Sequence, residues 1–174
     1  MPELYVSWSD YHHTIEQLAV RIYNSGWQFE HIACLAKGGL RVGDILSRLF
    51  DRPLAILSVS SYGGADNRER GKVRVSEHLS MTEPSLGPNL LLVDDLVDSG
   101  ESLQAAIAWL HAGYGDAIED MRTAVLWCKD CSKFAPDFHA HYLPDNPWIH
   151  QPFEPYEQMT PAELSTRYSS AAAM

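Results

Sequence analysis

Apolar positions along the chain fall into two rhythms. Mainly apolar stretches occur at 31–35, 54–59, 90–93 and 121–127, with His31, Ser58, Arg122 and Thr123 as their polar members, and 90–93 has none of the polar alternation of a half-solvated strand. That pattern belongs to strands buried on both faces of a parallel sheet. Between them the spacing is helical. Ile15, Leu18, Ala19 and Ile22 form one stripe, entered through Ser7 or Ser9 as a cap and stopped by Ser25-Gly26. A second helix is expected over roughly 41–50, and Leu103, Ile107, Ala108 and Leu110 mark a third that ends near Gly113. These elements predict an α/β fold: a central, mainly parallel sheet flanked by helices.

The chemistry clusters where strands end. After Leu90–Val93 come Asp94 and Asp95, then Asp98-Ser99-Gly100-Glu101-Ser102 leading into the third helix. Open α/β sheets bind ligands at this carboxyl edge. Backbone N–H groups at a helix start are unpaired and partly positive, Gly100 permits close approach, and Ser99 and Ser102 add hydroxyl donors, so the junction is an anion cradle. Carboxylates repel phosphate. Their presence beside the cradle makes sense if they bind hydroxyls or a divalent cation. The first strand likewise ends in a turn, Ala36-Lys37-Gly38-Gly39-Leu40, where Lys37 supplies a positive charge suited to a diphosphate.

The run N-L-L-L-V-D-D-L-V-D-S-G-E-S closely resembles the phosphoribosyl-pyrophosphate motif of type I phosphoribosyltransferases, and K-G-G-L about sixty residues earlier resembles the pyrophosphate loop of that family. The resemblance implies the type I fold with a small hood and a flexible lid. It implies that Asp94 and Asp95 accept from ribose hydroxyls, that Asp95 holds Mg2+, and that Ser99, Gly100, Glu101 and Ser102 seat the 5′-phosphate. It also implies that Asp98 serves the incoming base as general base or acceptor. Lys37 and Gly38 are expected at the pyrophosphate, with a cis peptide between Ala36 and Lys37 as in relatives. Ser60-Ser61-Tyr62 and Asn67-Arg68-Glu69 look like the flexible loop of oxopurine members, and by that likeness Arg68 reaches the diphosphate on closure. Read as residues alone, 60–87 is either a mobile lid or a hairpin with a disordered tip.

Two later stretches bear on the base. Cys128-Lys129-Asp130-Cys131 stands at the end of the 121–127 strand. A lone C-x-x-C is a possible redox or zinc half-site, but the spacing to His139 and His141 fits no usual zinc pattern. In oxopurine enzymes a lysine at this strand end donates to the purine's exocyclic oxygen, and Lys129 matches it; an ammonium donates but cannot accept, which selects a carbonyl. The segment Trp148-Ile149-His150-Gln151-Pro152-Phe153-Glu154 resembles the family's purine-binding W-I-x-Q-P-W-(D/E), with Phe153 in place of the second tryptophan. Trp148 either stacks on the base or packs in the core, the Ile149 backbone is expected to read the ring edge, and Glu154 takes the acidic position near the purine amino group.

Length fits one phosphoribosyltransferase domain over 1–154, with a lid at about 60–87, a hood at about 138–154 and a tail at 155–174. The resemblance, most of all to bacterial xanthine-guanine enzymes, implies transfer of phosphoribosyl from phosphoribosyl pyrophosphate to a 6-oxopurine, by a homodimer or homotetramer. The alternative is a regulator of the same fold that binds phosphoribosyl pyrophosphate without catalysis. A net charge of −10 argues against nucleic acid as a partner and so against that alternative. No apolar run reaches spanning length and no secretory signal opens the chain, so no integral membrane segment and a cytoplasmic location are expected. Three cysteines suit reduced thiols. His12 and His13, adjacent on a helix, face apart and suit solvent better than a shared metal.

Overall fold

The computed structural model describes residues 2–61 and 73–171. The chain divides into two compact units, one of Met1–His12 with Pro147–Met174 and one of His13–Asn146.

The larger unit is built on a six-stranded sheet. Its strands are β2 (His31–Ala36), β3 (Leu54–Ser61), β4 (Val73–Val75), β5 (Asn89–Val97), β6 (Asp120–Lys129) and β7 (Phe138–Leu143), in the spatial order β4-β3-β2-β5-β6-β7. All neighbours run parallel except β3 and β4. Helix α2 (Leu40–Phe50) links β2 to β3 on one side, and α3 (Glu101–Tyr114) links β5 to β6 on the other. The strand order therefore reverses direction between β2 and β5, where Cys34 pairs with Val93. This reversal opens a crevice outside the carboxyl ends of two adjacent strands, the usual ligand position in such sheets.

The core follows from the apolar runs. Ala33, Leu35, Leu90 and Leu92 alternate onto one face, where Leu103, Ala106 and Leu110 of α3 meet them with Leu86, Ile118 and Val125. On the other face α2 comes close enough that a Cβ on Gly43 would lie 2.6 Å from the Cβ of Cys34. The α3 stripe differs by one position from the sequence reading: Ala106 is buried and Ala108 exposed.

Three boundaries depart from expectation. Strand β5 does not stop before the acids but runs through them to Val97, because Asp94, Leu96 and Val97 still pair with Val125, Trp127 and Cys128 of β6. Residues 138–143, assigned to the hood by sequence, form the sheet's edge strand β7, parallel to β6. The stretch 73–87 is pinned at several points. Val75 pairs with Val59, Ser80 exchanges hydrogen bonds of 2.8 and 3.0 Å with Ile56, Leu79 and Met81 pack on the core, and Leu86 is fully buried. Val75, Leu79 and Met81, partly buried, pack with the fully buried Leu86 in the core beside the sheet.

In the smaller unit, β1 (Glu3–Tyr5) pairs in parallel with β8 (Trp148–His150). Helices α4 (Pro155–Gln158) and α5 (Pro161–Ala171) follow. Helix α1 runs over Trp8–Asn24. Its start is a reciprocal cap: Asp10 N–H donates to Ser7 Oγ at 3.1 Å, while Asp10 Oδ2 accepts from Ser7 N–H at 3.2 Å. No helix among the described residues is long and apolar enough to cross a membrane.

Candidate active site

Two loops meet at the β2/β5 reversal. The first leaves β2 through a cis Ala36–Lys37 peptide, as the sequence resemblance implied, and enters α2 at Gly39. Lys37 is exposed there, while Gly39 is buried and donates to Leu35 O at 2.8 Å. Gly38 lies against the end of β5 so closely that a Cβ on it would lie 2.6 Å from Asp95 Cγ. The diphosphate-type loop and the acid pair are thus in direct contact. Parallel pairing of β2 with β5 brings this about, since it puts both strand ends at the same edge.

Asp94 and Asp95 are held by local bonds: Asp95 N–H donates to Asp94 Oδ1 at 2.9 Å and Leu96 N–H to Asp95 Oδ1 at 2.8 Å. Burial raises the pKa of both carboxyls above the ordinary value of 3.8, and for Asp94 the neighbouring Asp95 charge adds to it. The amides of Asp95 and Gly39 pull Asp94 partly back. A desolvated acid pair of this kind fits a divalent cation, which would relieve the repulsion that the fold leaves in place. Among the described residues no group of three or more His, Cys, Asp or Glu side chains could hold a metal. A cation here would therefore draw most of its ligands from substrate oxygens and water, which suits Mg2+.

The turn into α3 forms the anion cradle. Gly100 has φ +85°, a left-handed conformation that other residues rarely adopt, and it precedes the first helical residue, Glu101. Ser99 Oγ accepts from Glu101 N–H at 3.4 Å and Ser102 is half-buried in the first turn. Glu101 itself is exposed, and the first turn of a helix is where backbone N–H groups suit an anion.

Lys129 ends β6 beside this turn. It is buried, with Nζ 3.7 Å from Asp98 Oδ1. Sequence reasoning named both residues; it did not foresee that the Cys131 thiol donates to the same Asp98 Oδ1 at 3.1 Å. Nor did it foresee Asn146, whose Oδ1 accepts from Cys131 N–H at 2.8 Å. The two cysteines of the C-x-x-C part company, Cys128 buried and Cys131 exposed, and all three cysteines are free. Burial pushes the Cys34 thiol up to about 12, so it stays protonated and inert. His12 and His13 are exposed.

The remaining site expectations lie on the smaller unit or outside the described residues. Trp148, Ile149 and Glu154 belong to the smaller unit. Trp148 is 42% exposed, so it is not a core residue. Ile149 is buried in register with Leu4. Glu154 Oε2 lies 3.1 Å from Nδ1 of His150, whose ring stacks on Tyr5 at 4.3 Å. Phe153, at the second aromatic position of the motif, packs edge-on against Tyr11 at 5.9 Å. Arg68 lies outside the described residues.

Residues 7–158 match the model of the phosphoribosyl transferase domain. Xanthine-guanine phosphoribosyltransferase from Idiomarina loihiensis is 28% identical over 153 residues, 87% of each chain, and that of Roseobacter denitrificans 32% over 108 residues, 58% of this chain and 60% of its own. Among solved structures, purine phosphoribosyltransferase from Pyrococcus horikoshii superposes with a TM-score of 0.70 at 23% identity, covering 88% of this chain and 95% of its own. Helicobacter pylori xanthine-guanine-hypoxanthine phosphoribosyltransferase superposes at 0.67 and 20% identity, covering 90% of this chain and 99% of its own. A sheet that reverses at an acid pair and an amide-lined turn, with a family match running nearly end to end, places this chain in the phosphoribosyltransferase domain family.

Proposed function

We propose that the protein transfers the phosphoribosyl group of phosphoribosyl pyrophosphate to a 6-oxopurine, guanine, xanthine or hypoxanthine, releasing pyrophosphate and the nucleoside monophosphate. The observation that carries the reading is the Asp98–Lys129 pair beside the α3 turn. A phosphate cradle alone would serve any sugar phosphate. An ammonium and a carboxylate held 3.7 Å apart beside it match the exocyclic oxygen and the ring nitrogen of an oxopurine. The Idiomarina relative, named for xanthine and guanine, points the same way.

In this reading Asp94 and Asp95 accept from the ribose hydroxyls, and residues Ser99 to Ser102 hold the 5′-phosphate. Fixing both ends of the sugar orients C1 towards the base, and most of the catalytic gain comes from that positioning. Lys37, with Gly38 amide support, and Arg68 balance charge on the departing pyrophosphate. Asp95 would hold Mg2+ with substrate oxygens, and the ion would neutralise the leaving group. Asp98 accepts the proton or hydrogen bond of the ring nitrogen that attacks C1. Trp148 offers an exposed face of the kind that stacks on bases, with the Ile149 backbone and Glu154 assigned to the ring edge.

The test is incubation with Mg2+, phosphoribosyl pyrophosphate and each purine separately, following nucleotide formation. Turnover with at least one 6-oxopurine, and little with adenine, is expected. Asp98→Asn should lower turnover while sparing phosphoribosyl pyrophosphate binding, and Lys129→Ala should mainly raise KM for the base. Binding of phosphoribosyl pyrophosphate without any nucleotide product would replace the enzyme by a sensor of the same fold.

A further inference from the structure

We propose that Cys131 is a positioning residue for Asp98, holding the carboxylate in place while Lys129 turns to the purine. The proposal rests on the assignment of Asp98 and Lys129 to the base. Among the described residues, two side chains reach Asp98 and both meet it on one oxygen: Cys131 Sγ at 3.1 Å and Lys129 Nζ at 3.7 Å from Oδ1. In this proposal the other oxygen, Oδ2, serves the ring nitrogen. Lys129 cannot serve both partners equally, because an ammonium drawn to an exocyclic oxygen loosens its hold on Asp98. The thiol has no such second task. Sγ also approaches Asp98 O at 3.7 Å, so it straddles the residue's side chain and backbone.

The thiol's place is built into the surrounding turn. Asp130 N–H donates to Leu143 O at 3.1 Å, Cys131 N–H to Asn146 Oδ1 at 2.8 Å and Ser132 N–H to Lys129 O at 3.1 Å. Lys133 N–H donates to Ser99 O at 3.3 Å, tying the turn directly to the phosphate loop. Ser132 Oγ closes it by donating to Phe134 O at 2.8 Å and accepting from Phe134 N–H at 3.1 Å. Phe134 in turn packs beside Gly100, where only a residue without Cβ fits. The segment from 129 to 134 is a strap across the Asp98–Gly100 bend, and Cys131 is the point where its side chain touches the acid. Burial and the hydrogen bond to Asp98 both raise the pKa of the thiol, which keeps the proton that it donates.

The experiment pairs a kinetic and a chemical readout on the full chain. Cys131→Ala should lower kcat about five- to tenfold, the loss of one weak charge-assisted hydrogen bond, with KM for phosphoribosyl pyrophosphate and the melting temperature unchanged. Cys131→Ser, which restores a donor, should recover most of the loss. Separately, Asp98→Asn should speed alkylation of Cys131 by iodoacetamide at pH 7 about three- to tenfold, because the thiol loses the neighbouring negative charge that opposes its ionisation and keeps the Lys129 charge nearby. Peptide mass assigns the label, Cys34 and Cys128 being buried. Full activity in Cys131→Ala, or a serine variant no better than alanine, overturns the positioning role while leaving the proposed reaction standing. An unchanged alkylation rate overturns the contact itself. A wild-type protein that makes no nucleotide from any 6-oxopurine overturns the reaction, and the positioning role with it.

Discussion

Gly39→Ala should damage the protein although alanine suits the backbone there. Gly39 has φ −72° and ψ −8°, ordinary helical values. The cost is purely one of space: an added Cβ would sit 2.7 Å from Val93 O, 2.8 Å from Leu35 O and 3.0 Å from Asp94 Cα, short of ordinary contact at 3.4 Å by about 0.4 to 0.7 Å. All three are backbone atoms of β2 and β5, so no side chain can swing aside. Overpacking of this kind costs ~1–3 kcal/mol, offset by ~0.4–1 kcal/mol from a less flexible unfolded chain. A net loss of about 1–2 kcal/mol corresponds to a fall in Tm of roughly 2–8 °C for a chain of this size. Gly113→Ala is the matched control. It lies inside α3 with nothing within 4 Å of the added Cβ, and it should gain about 0.5–1 kcal/mol. Urea unfolding with unchanged m-values checks both signs. Because the displaced atoms include Asp94, Gly39→Ala should also weaken calorimetric binding of Mg2+–pyrophosphate. A Gly39→Ala variant as stable as wild type would show that the two strand ends are not packed as tightly as described.

Asp94→Asn should raise Tm at pH 7 in the presence of EDTA. A carboxyl whose pKa is raised on folding binds its proton more tightly in the native chain, so the stability that Asp94 contributes is fully present below 3.8 and is lost as pH climbs through the raised value. Asparagine keeps the acceptor for Asp95 N–H and removes that slope; parallel Tm-against-pH curves for the two proteins would contradict the account. Leu86→Ala should cost ~2–5 kcal/mol in urea unfolding, since the side chain is fully buried, and a loss below ~1 kcal/mol would show that 73–87 is loosely attached. Trp148→Ala should raise KM for the base about tenfold, the scale of one stacking interaction, with KM for phosphoribosyl pyrophosphate unmoved; a change in the latter alone would remove Trp148 from base binding.

Local pattern was enough to read four strands of the sheet, three helices and the two loops. Unbroken apolar runs can only be strands or helices buried on both sides, and Asp-Ser-Gly or Lys-Gly-Gly after such a run has few structural uses. Local pattern misplaced the ends. Asp94 to Val97 look like a loop by composition, yet they stay in β5 because β6 offers hydrogen-bond partners as far as Cys128. Residues 138–143 alternate Phe, His, Ala, His, Tyr and Leu in the manner of an independent hairpin or hood, and only the exposed edge of β6 explains why they join the sheet.

The sequence by itself determined the class of fold, the strand order in time and which residue types stand at each strand end, since these follow from periodicity and turn chemistry within a few residues. Which strand ends become neighbours was decided only in three dimensions. The chain reverses between β2 and β5, so Gly38 touches Asp95, and the turn after β6 folds back on Asp98, so a cysteine distant in sequence becomes its hydrogen-bond donor. Such pairings depend on sheet order and on contacts across long stretches of chain, which no local pattern of residues encodes.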